Sequence, residues 1–439
     1  MKTIDSLISS PWIIPVDAQS SVLQDHGIAI DKGKIVAIAP LDELNTGYQA
    51  KTTRHLDNHI VTPGLVNAHT HAAMSMFRGY ADDLPLMQWL QDHIWPAESQ
   101  WVRPEFMDVG TDLAIAEMIR GGTTCFNDMY FFPDHVAKCA ENAGIRSVIG
   151  MIVIDFPTVW AKDADEYISK GLEVRDSLRH SSLVTAVFAP HAPYTVSTDA
   201  LERIGVLAEE LDCQVHMHVH ETKFEIEQSN AQYGMRPLER LEQIGLLSPR
   251  LLAVHMTQLL KAEIESLSER GVSVIHCPQS NMKLASGFCP VADLLDADIN
   301  LAIGTDGAAS NNDLDILDET RSAALIAKGF SGDASSMPAY TALRCATLNG
   351  AKALGIDHIT GSIEVGKAAD IAAFDINRVS TTPVFNPVST LIYSTAAQQA
   401  SDVWVAGEPL LSDGVLQTLD ETDICRRAVQ LANAIANGK

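Results

Sequence analysis

A chain of 439 residues with 56 acidic against 31 basic side chains has a formal net charge of −25, a balance that repels phosphate backbones and anionic lipid and so argues against nucleic acid or membrane as partners. At 46% hydrophobic and 20% charged residues, the chain is long and apolar enough to bury one large core plus a smaller domain. Its seven cysteines are scattered without C-x-x-C spacing, and no apolar run is long enough for a signal sequence or a membrane span, which reads as reduced thiols in a cytosolic (cytoplasmic) protein.

Residues 1–60 alternate apolar and polar over short stretches, with Asp31-Lys32-Gly33-Lys34 as a hairpin turn between two of them, the pattern of a small antiparallel β unit. The same texture returns at Gly366 to Phe374 and at Val403 to Gly407. The two ends, 1–60 and 366–439, are therefore expected to pair into one small β-sandwich domain, with 61–365 inserted between them. That middle segment repeats a β-rich run followed by 10 to 20 residues of helical periodicity, the signature of βα units. Strands are expected near 61–69, 123–130, 146–154, 183–190, 213–219, 251–255, 272–276 and 299–305, with helices between them such as 107–120, 199–211 and 261–270. The fold class is thus α/β, a (β/α)8 barrel. A last amphipathic helix, 422–437, is expected to pack on the small domain.

Between His71 and the next helix lies one long connection, 72–101, rich in Met, Trp, Phe and Leu and carrying Asp82, Asp83 and Glu98. An ordered loop of this length at the strand ends of a barrel acts as a lid or a substrate wall. A second subunit could complete such an apolar lid, which leaves a homo-oligomer open.

The chemistry gathers at strand ends. His69 and His71 stand two apart in Val66-Asn67-Ala68-His69-Thr70-His71, so on an extended strand they project to one side and can grip one ion. His218, His255 and Asp306 close three further apolar runs, and barrel active sites form at the C-terminal ends of the strands. The candidate ligands are His69, His71, His218 and Asp306, four N/O donors that suit Zn2+, or Fe2+ and Mn2+ less selectively. In His216-Met217-His218-Val219-His220-Glu221 three histidines share a face. His218 is chosen because Glu221 follows three residues later; His216 reads as structural and His220 stays ambiguous. The fourth strand has no lysine to bridge a metal pair, so one ion is expected. Asp306 can accept a proton from a water activated by that ion, Glu221 can carry a proton to a substrate ring nitrogen, and His255 can steady the developing charge.

These residues resemble a known family. Thr62-Pro63-Gly64-Leu65-Val66-Asn67-Ala68-His69-Thr70-His71 and Gly304-Thr305-Asp306-Gly307 look like the first- and eighth-strand motifs of the amidohydrolase superfamily. Phe77 to Leu84, Ile94 to Glu98, Pro190 to Tyr194, His218-x-x-Glu221-Thr222 and Ser310 to Asp315 look like its 5-methylthioadenosine/S-adenosylhomocysteine deaminases. The resemblance implies a zinc-dependent deaminase of adenine nucleosides (5′-methylthioadenosine, S-adenosylhomocysteine or adenosine). It also implies roles for His69, His71, His218 and Asp306 on the metal, Glu221 and His255 on the adenine ring, Glu98 on the ribose hydroxyls and His191 beside the metal, with Trp95 along the tail. The family often holds substrate with an arginine after the third strand region, and Arg146 is the nearest candidate here. The Val219-His220 pair also departs from the Leu-Ala expected before Glu221. The alternative is a hydrolase of another amino- or halo-substituted ring such as guanine, a pterin or a triazine.

Overall fold

The computed structural model describes residues 1–395 and 399–438. Eight parallel strands lie side by side in chain order: Leu65–Thr70, Thr123–Asp128, Arg146–Val153, Val184–Pro190, Val215–Val219, Leu251–His255, Ser273–His276 and Leu301–Ile303. Helices between them cover the outside. Buried on both faces, the strands read as continuous apolar runs rather than as alternating ones.

The first and eighth strands do not share a ladder. Their seam is closed by Asn67, whose amide donates to Thr305 Oγ1 at 2.8 Å and accepts from the Thr305 backbone N–H at 3.0 Å. The Asp306 N–H adds a bond to the His69 carbonyl at 3.0 Å. Gly304 makes this approach possible, because a Cβ there would stand 2.8 Å from the backbone nitrogen of His69.

The second unit is a nine-stranded mixed sheet drawn from both chain ends. Its long first strand, Lys2–Ile13, pairs antiparallel with Leu23–Asp31 but parallel with Tyr48–His55 and His59–Pro63. The amino-terminal part is therefore mixed rather than purely antiparallel. Apolar clusters form around Ile8, Ile28 and Trp404 and around Ile4, Leu7 and Leu44. The expected strand 61–69 is split in two: His59–Pro63 belongs to this sheet, and Leu65–Thr70 begins the barrel. Gly64 makes the crossing, where any Cβ would collide with the Thr124 side chain at 2.0 Å.

The carboxy-terminal helix Glu421–Ala436 packs on the barrel helix Pro104–Arg120, not on the small sheet as its position in the sequence suggests. Ile424, Ala428 and Ile435 supply its buried face, while Arg427 reaches Asp112 at 2.8 Å and Arg120 pairs with Glu421. The connection 72–101 is built of short helices, Ala72–Phe77, Leu86–Gln88, Trp89–Ile94 and Trp95–Trp101. The stretch Trp89–Ile94 is a wide π-type turn, a rare form that is frequent at functional sites. No described helix is long and apolar enough to cross a membrane, and all seven cysteines are free.

Candidate active site

At the carboxy-terminal rim of the barrel, His69 and His71 from the first strand, His218 from the fifth and Asp306 after the eighth converge. Oδ1 of Asp306 lies 3.3 Å from Nε2 of His69 and 3.2 Å from Nε2 of His71, and Nε2 of His218 lies 3.2 Å from Nε2 of His69. The opposite ring nitrogens fix the tautomers. Nδ1 of His71 meets the Met129 carbonyl at 2.5 Å, and Nδ1 of His218 meets the His191 carbonyl at 2.8 Å. A carbonyl can only accept, so both Nδ1 atoms carry a proton, which leaves each Nε2 as the nitrogen available to an ion. These nitrogens and the carboxylate oxygen stand 3.2–3.3 Å apart, and a cation among them would take the place of the proton that Asp306 favours on His71. Donors about 2.0–2.1 Å from a tetrahedral ion stand about 3.3–3.4 Å apart, so these three separations suit side chains that hold a divalent cation.

The second layer of contacts holds these groups in place. Ser280 and Ser310 donate to Oδ2 of Asp306 at 2.6 and 2.8 Å, leaving Oδ1 turned toward the histidines. His216 lies one layer deeper, with Nε2 3.0 Å from Nδ1 of His69. His220 faces away from the site and accepts the Leu238 N–H at 3.3 Å. Burial pushes His69 down to about 4 and His191 down to about 3. Burial also opposes charge on His71, but the Asp306 carboxylate beside it outweighs that and raises it to about 9. Asp306 itself is held well below the usual carboxylate range: its burial would raise it, and the two histidines overcome this.

Glu221 and His255 sit beside this centre, with Nε2 of His255 3.8 Å from Oε2 of Glu221. Asn281 accepts from Nδ1 of His255 at 2.9 Å, so Nε2 is the nitrogen left facing Glu221. Burial raises the Glu221 carboxyl, keeping it able to hold a proton. His220, His255 and Asp306 all have left-handed backbone, with φ of 55°, 75° and 63°. Such conformations cost about 1–3 kcal/mol each and cluster at functional sites. They turn the chain abruptly at the strand ends and aim these side chains.

All of this opens into a cavity of about 490 Å³, whose wall includes the connection residues Trp89, Leu90, Trp95 and Glu98. Trp95 packs edge-on to Phe156 with ring centroids 6.1 Å apart, and His191 lines the cavity next to His218. Enclosure by this wall pushes the half-buried Glu98 carboxyl up to about 7, against the pull of the Tyr130 hydroxyl and His71. Arg146 is elsewhere. It begins the third strand at the opposite end of the barrel and pairs with Asp370 at 2.9 Å, so it cannot hold a substrate here. Tyr130, Ser280 and Asn281, given no role above, are part of the site; Tyr130 closes the expected strand 123–130 but is no metal ligand or charged group, and Ser280 and Asn281 carry no spacing signal.

Residues 60–410 match the profile described as the amidohydrolase family. The chain belongs to that family. The 5-methylthioadenosine/S-adenosylhomocysteine deaminase of Teredinibacter turnerae is 47% identical to this amidohydrolase over 98% of the chain and 97% of that protein. A solved structure of an adenosine deaminase from Xanthomonas campestris with bound zinc is 49% identical, covers 99% of both chains and superposes with a TM-score of 0.98. Atrazine chlorohydrolase from Arthrobacter aurescens, solved with zinc, is 25% identical over 97% of this chain and 100% of that one, with a TM-score of 0.91. This amidohydrolase is a metal-dependent hydrolytic deaminase, and its histidine-rich cluster is a site for a divalent metal.

Proposed function

We propose that this amidohydrolase deaminates adenine nucleosides carrying a 5′ thioether, 5′-methylthioadenosine foremost, and also S-adenosylhomocysteine and adenosine, to the inosine analogue and ammonia. One observation carries the reading: a single cavity joins the four-donor cluster to a carboxylate, Glu98, and to an apolar end formed by Trp95, Ile154, Phe156, Pro157 and Val159. A carboxylate accepts two hydroxyl hydrogen bonds from a vicinal diol, and an apolar end suits a methylthio group. The names of the relatives support the adenine nucleoside. Among the described residues no lysine or arginine lines the cavity, which favours the uncharged methylthio tail over the zwitterionic homocysteine one.

In this reading His69, His71, His218 and Asp306 hold one zinc ion. When bound, the ion supplies Lewis acidity that lowers the pKa of a water from about 16 toward about 7. Asp306 accepts a proton from the attacking water. Glu221 delivers its proton to the adenine ring nitrogen next to the carbon under attack, so that this carbon can become tetrahedral. His255 steadies the added oxygen through Nε2, with His191 on the other side of His218. The proton on Asp306 then passes to the departing amine, which leaves as ammonia, while the proton of the added hydroxyl returns to Glu221 as the carbonyl forms, restoring both carboxyls to their starting state.

Glu98 separates this reading from one in which the substrate is a bare ring such as guanine, a pterin or a triazine. Glu98→Ala should raise KM for 5′-methylthioadenosine about 10- to 100-fold, the loss of charge-assisted hydrogen bonds. An equal KM in that variant would remove the nucleoside from the account.

A further inference from the structure

Glu98 is held by one side chain. Tyr130 donates its hydroxyl to Oε1 of Glu98 at 2.7 Å, and among the described residues no other side chain bonds that carboxylate. Tyr130 is only 5% exposed, and a buried tyrosine hydroxyl requires a partner. It lies just past the second barrel strand, Thr123–Asp128, next to Met129, whose carbonyl accepts from Nδ1 of His71 at 2.5 Å. Two consecutive residues therefore grip the two halves of the site: Met129 orients a histidine of the metal cluster, and Tyr130 orients a carboxylate carried by the lid helix Trp95–Trp101.

We propose that Tyr130 is a positioning residue for substrate recognition, fixing the plane of the Glu98 carboxylate, and its distance from the metal cluster, to match the span from ribose hydroxyls to adenine ring. The inference rests on the reading of Glu98 as the ribose carboxylate. The hydroxyl occupies one side of Oε1 and leaves Oε2 with both lone pairs for the diol. It also ties the lid helix to the barrel, so the carboxylate is placed before substrate arrives and no ordering cost falls on binding. The ring alone fills the same space, so Tyr130→Phe removes the tie without opening a void.

The test measures kcat and KM for 5′-methylthioadenosine and for its 2′,3′-dideoxy analogue in zinc-loaded wild type, Tyr130→Phe, Glu98→Ala and the double variant. Tyr130→Phe should raise KM for the diol substrate about three- to tenfold with kcat unchanged, and leave the dideoxy analogue untouched. In the double variant it should add nothing to Glu98→Ala. If Glu98→Ala discriminates between the substrates and Tyr130→Phe does not, the positioning role fails while the ribose carboxylate stands. If Tyr130→Phe weakens both substrates equally, its role is packing alone, which also overturns the proposal. If Glu98→Ala itself fails to discriminate, the reading of Glu98 falls and the inference falls with it.

Discussion

The two ends of the barrel bury charge in opposite ways. At the amino-terminal end Arg146, 4% exposed, makes a two-pronged pair with Asp370 at 2.9 and 3.2 Å and donates to the Ser182 carbonyl, while Asp370 also accepts the Ala406 N–H at 2.7 Å. Donors meet acceptors, and the pair joins the barrel to the small sheet. At the carboxy-terminal end groups able to ligate a metal converge instead: Nε2 of His69, His71 and His218 and Oδ1 of Asp306 are turned toward one another, Asp306 on left-handed backbone, and the carboxylate is offset only by a proton on His71 or by a bound cation. Equal burial therefore says little about role. What distinguishes a structural cluster from a reactive one is whether its valences are already satisfied, in line with the division between a stabilising and a catalytic face in barrels of this kind.

That contrast is breakable at both ends. The largest effect is expected at the top, where Glu221→Gln should lower kcat about 10²- to 10⁴-fold while zinc content and thermal stability stay at wild-type values; near-normal turnover would remove Glu221 from the chemistry. At the bottom, Arg146→Met strands a buried carboxylate and should cost about 3–5 kcal/mol of stability. That loss is readable as a lower denaturant midpoint, and kcat/KM of the folded variant should be unchanged. A fall in activity without a fall in stability would erase the distinction. Stripping the metal should abolish turnover and lower the melting temperature, since ligand at 100-fold over its Kd contributes about 2.7 kcal/mol to the folded state; added zinc should restore both. The smallest effect concerns protons. Glu98 sits at about 7, so it is ionised above that pH and loses acceptor capacity below it. KM for 5′-methylthioadenosine should rise about tenfold as pH falls from 8 to 6, the change in the ionised fraction, against a flat profile for the 2′,3′-dideoxy analogue.

The eight strands and the residues at their ends were legible because buried parallel strands are short apolar runs and their polar termini interrupt the pattern: His69, His71, His218, His255 and Asp306 each close such a run. The limits of the strands at the sheet-to-barrel crossing were not, because 61–69 is unbroken in hydropathy and only the close approach at Gly64 divides it. Helix 422–437 has the right period, but its partner depends on contacts between residues hundreds of positions apart: the buried face of Ile424, Ala428 and Ile435 on the barrel helix, flanked by the Arg427–Asp112 and Arg120–Glu421 pairs. Arg146 lay near the expected position in sequence and at the wrong end of the barrel in space, since a residue that opens a strand cannot reach the face where strands finish. Tyr130 lies in a loop, and Ser280 and Asn281 in the short helix Pro278–Lys283; no periodicity marks them as functional, and their roles come from what they touch.

The central claim is that the unsatisfied cluster at the top of the barrel is a one-ion centre serving adenine nucleosides. It is met most directly by following the ultraviolet change from adenine to hypoxanthine in metal-free protein titrated with zinc, on 5′-methylthioadenosine and on free adenine in parallel. The account predicts that turnover of the nucleoside rises to a plateau at one equivalent of zinc while free adenine stays untouched. Silence on 5′-methylthioadenosine with zinc bound, or free adenine converted equally well, would contradict it.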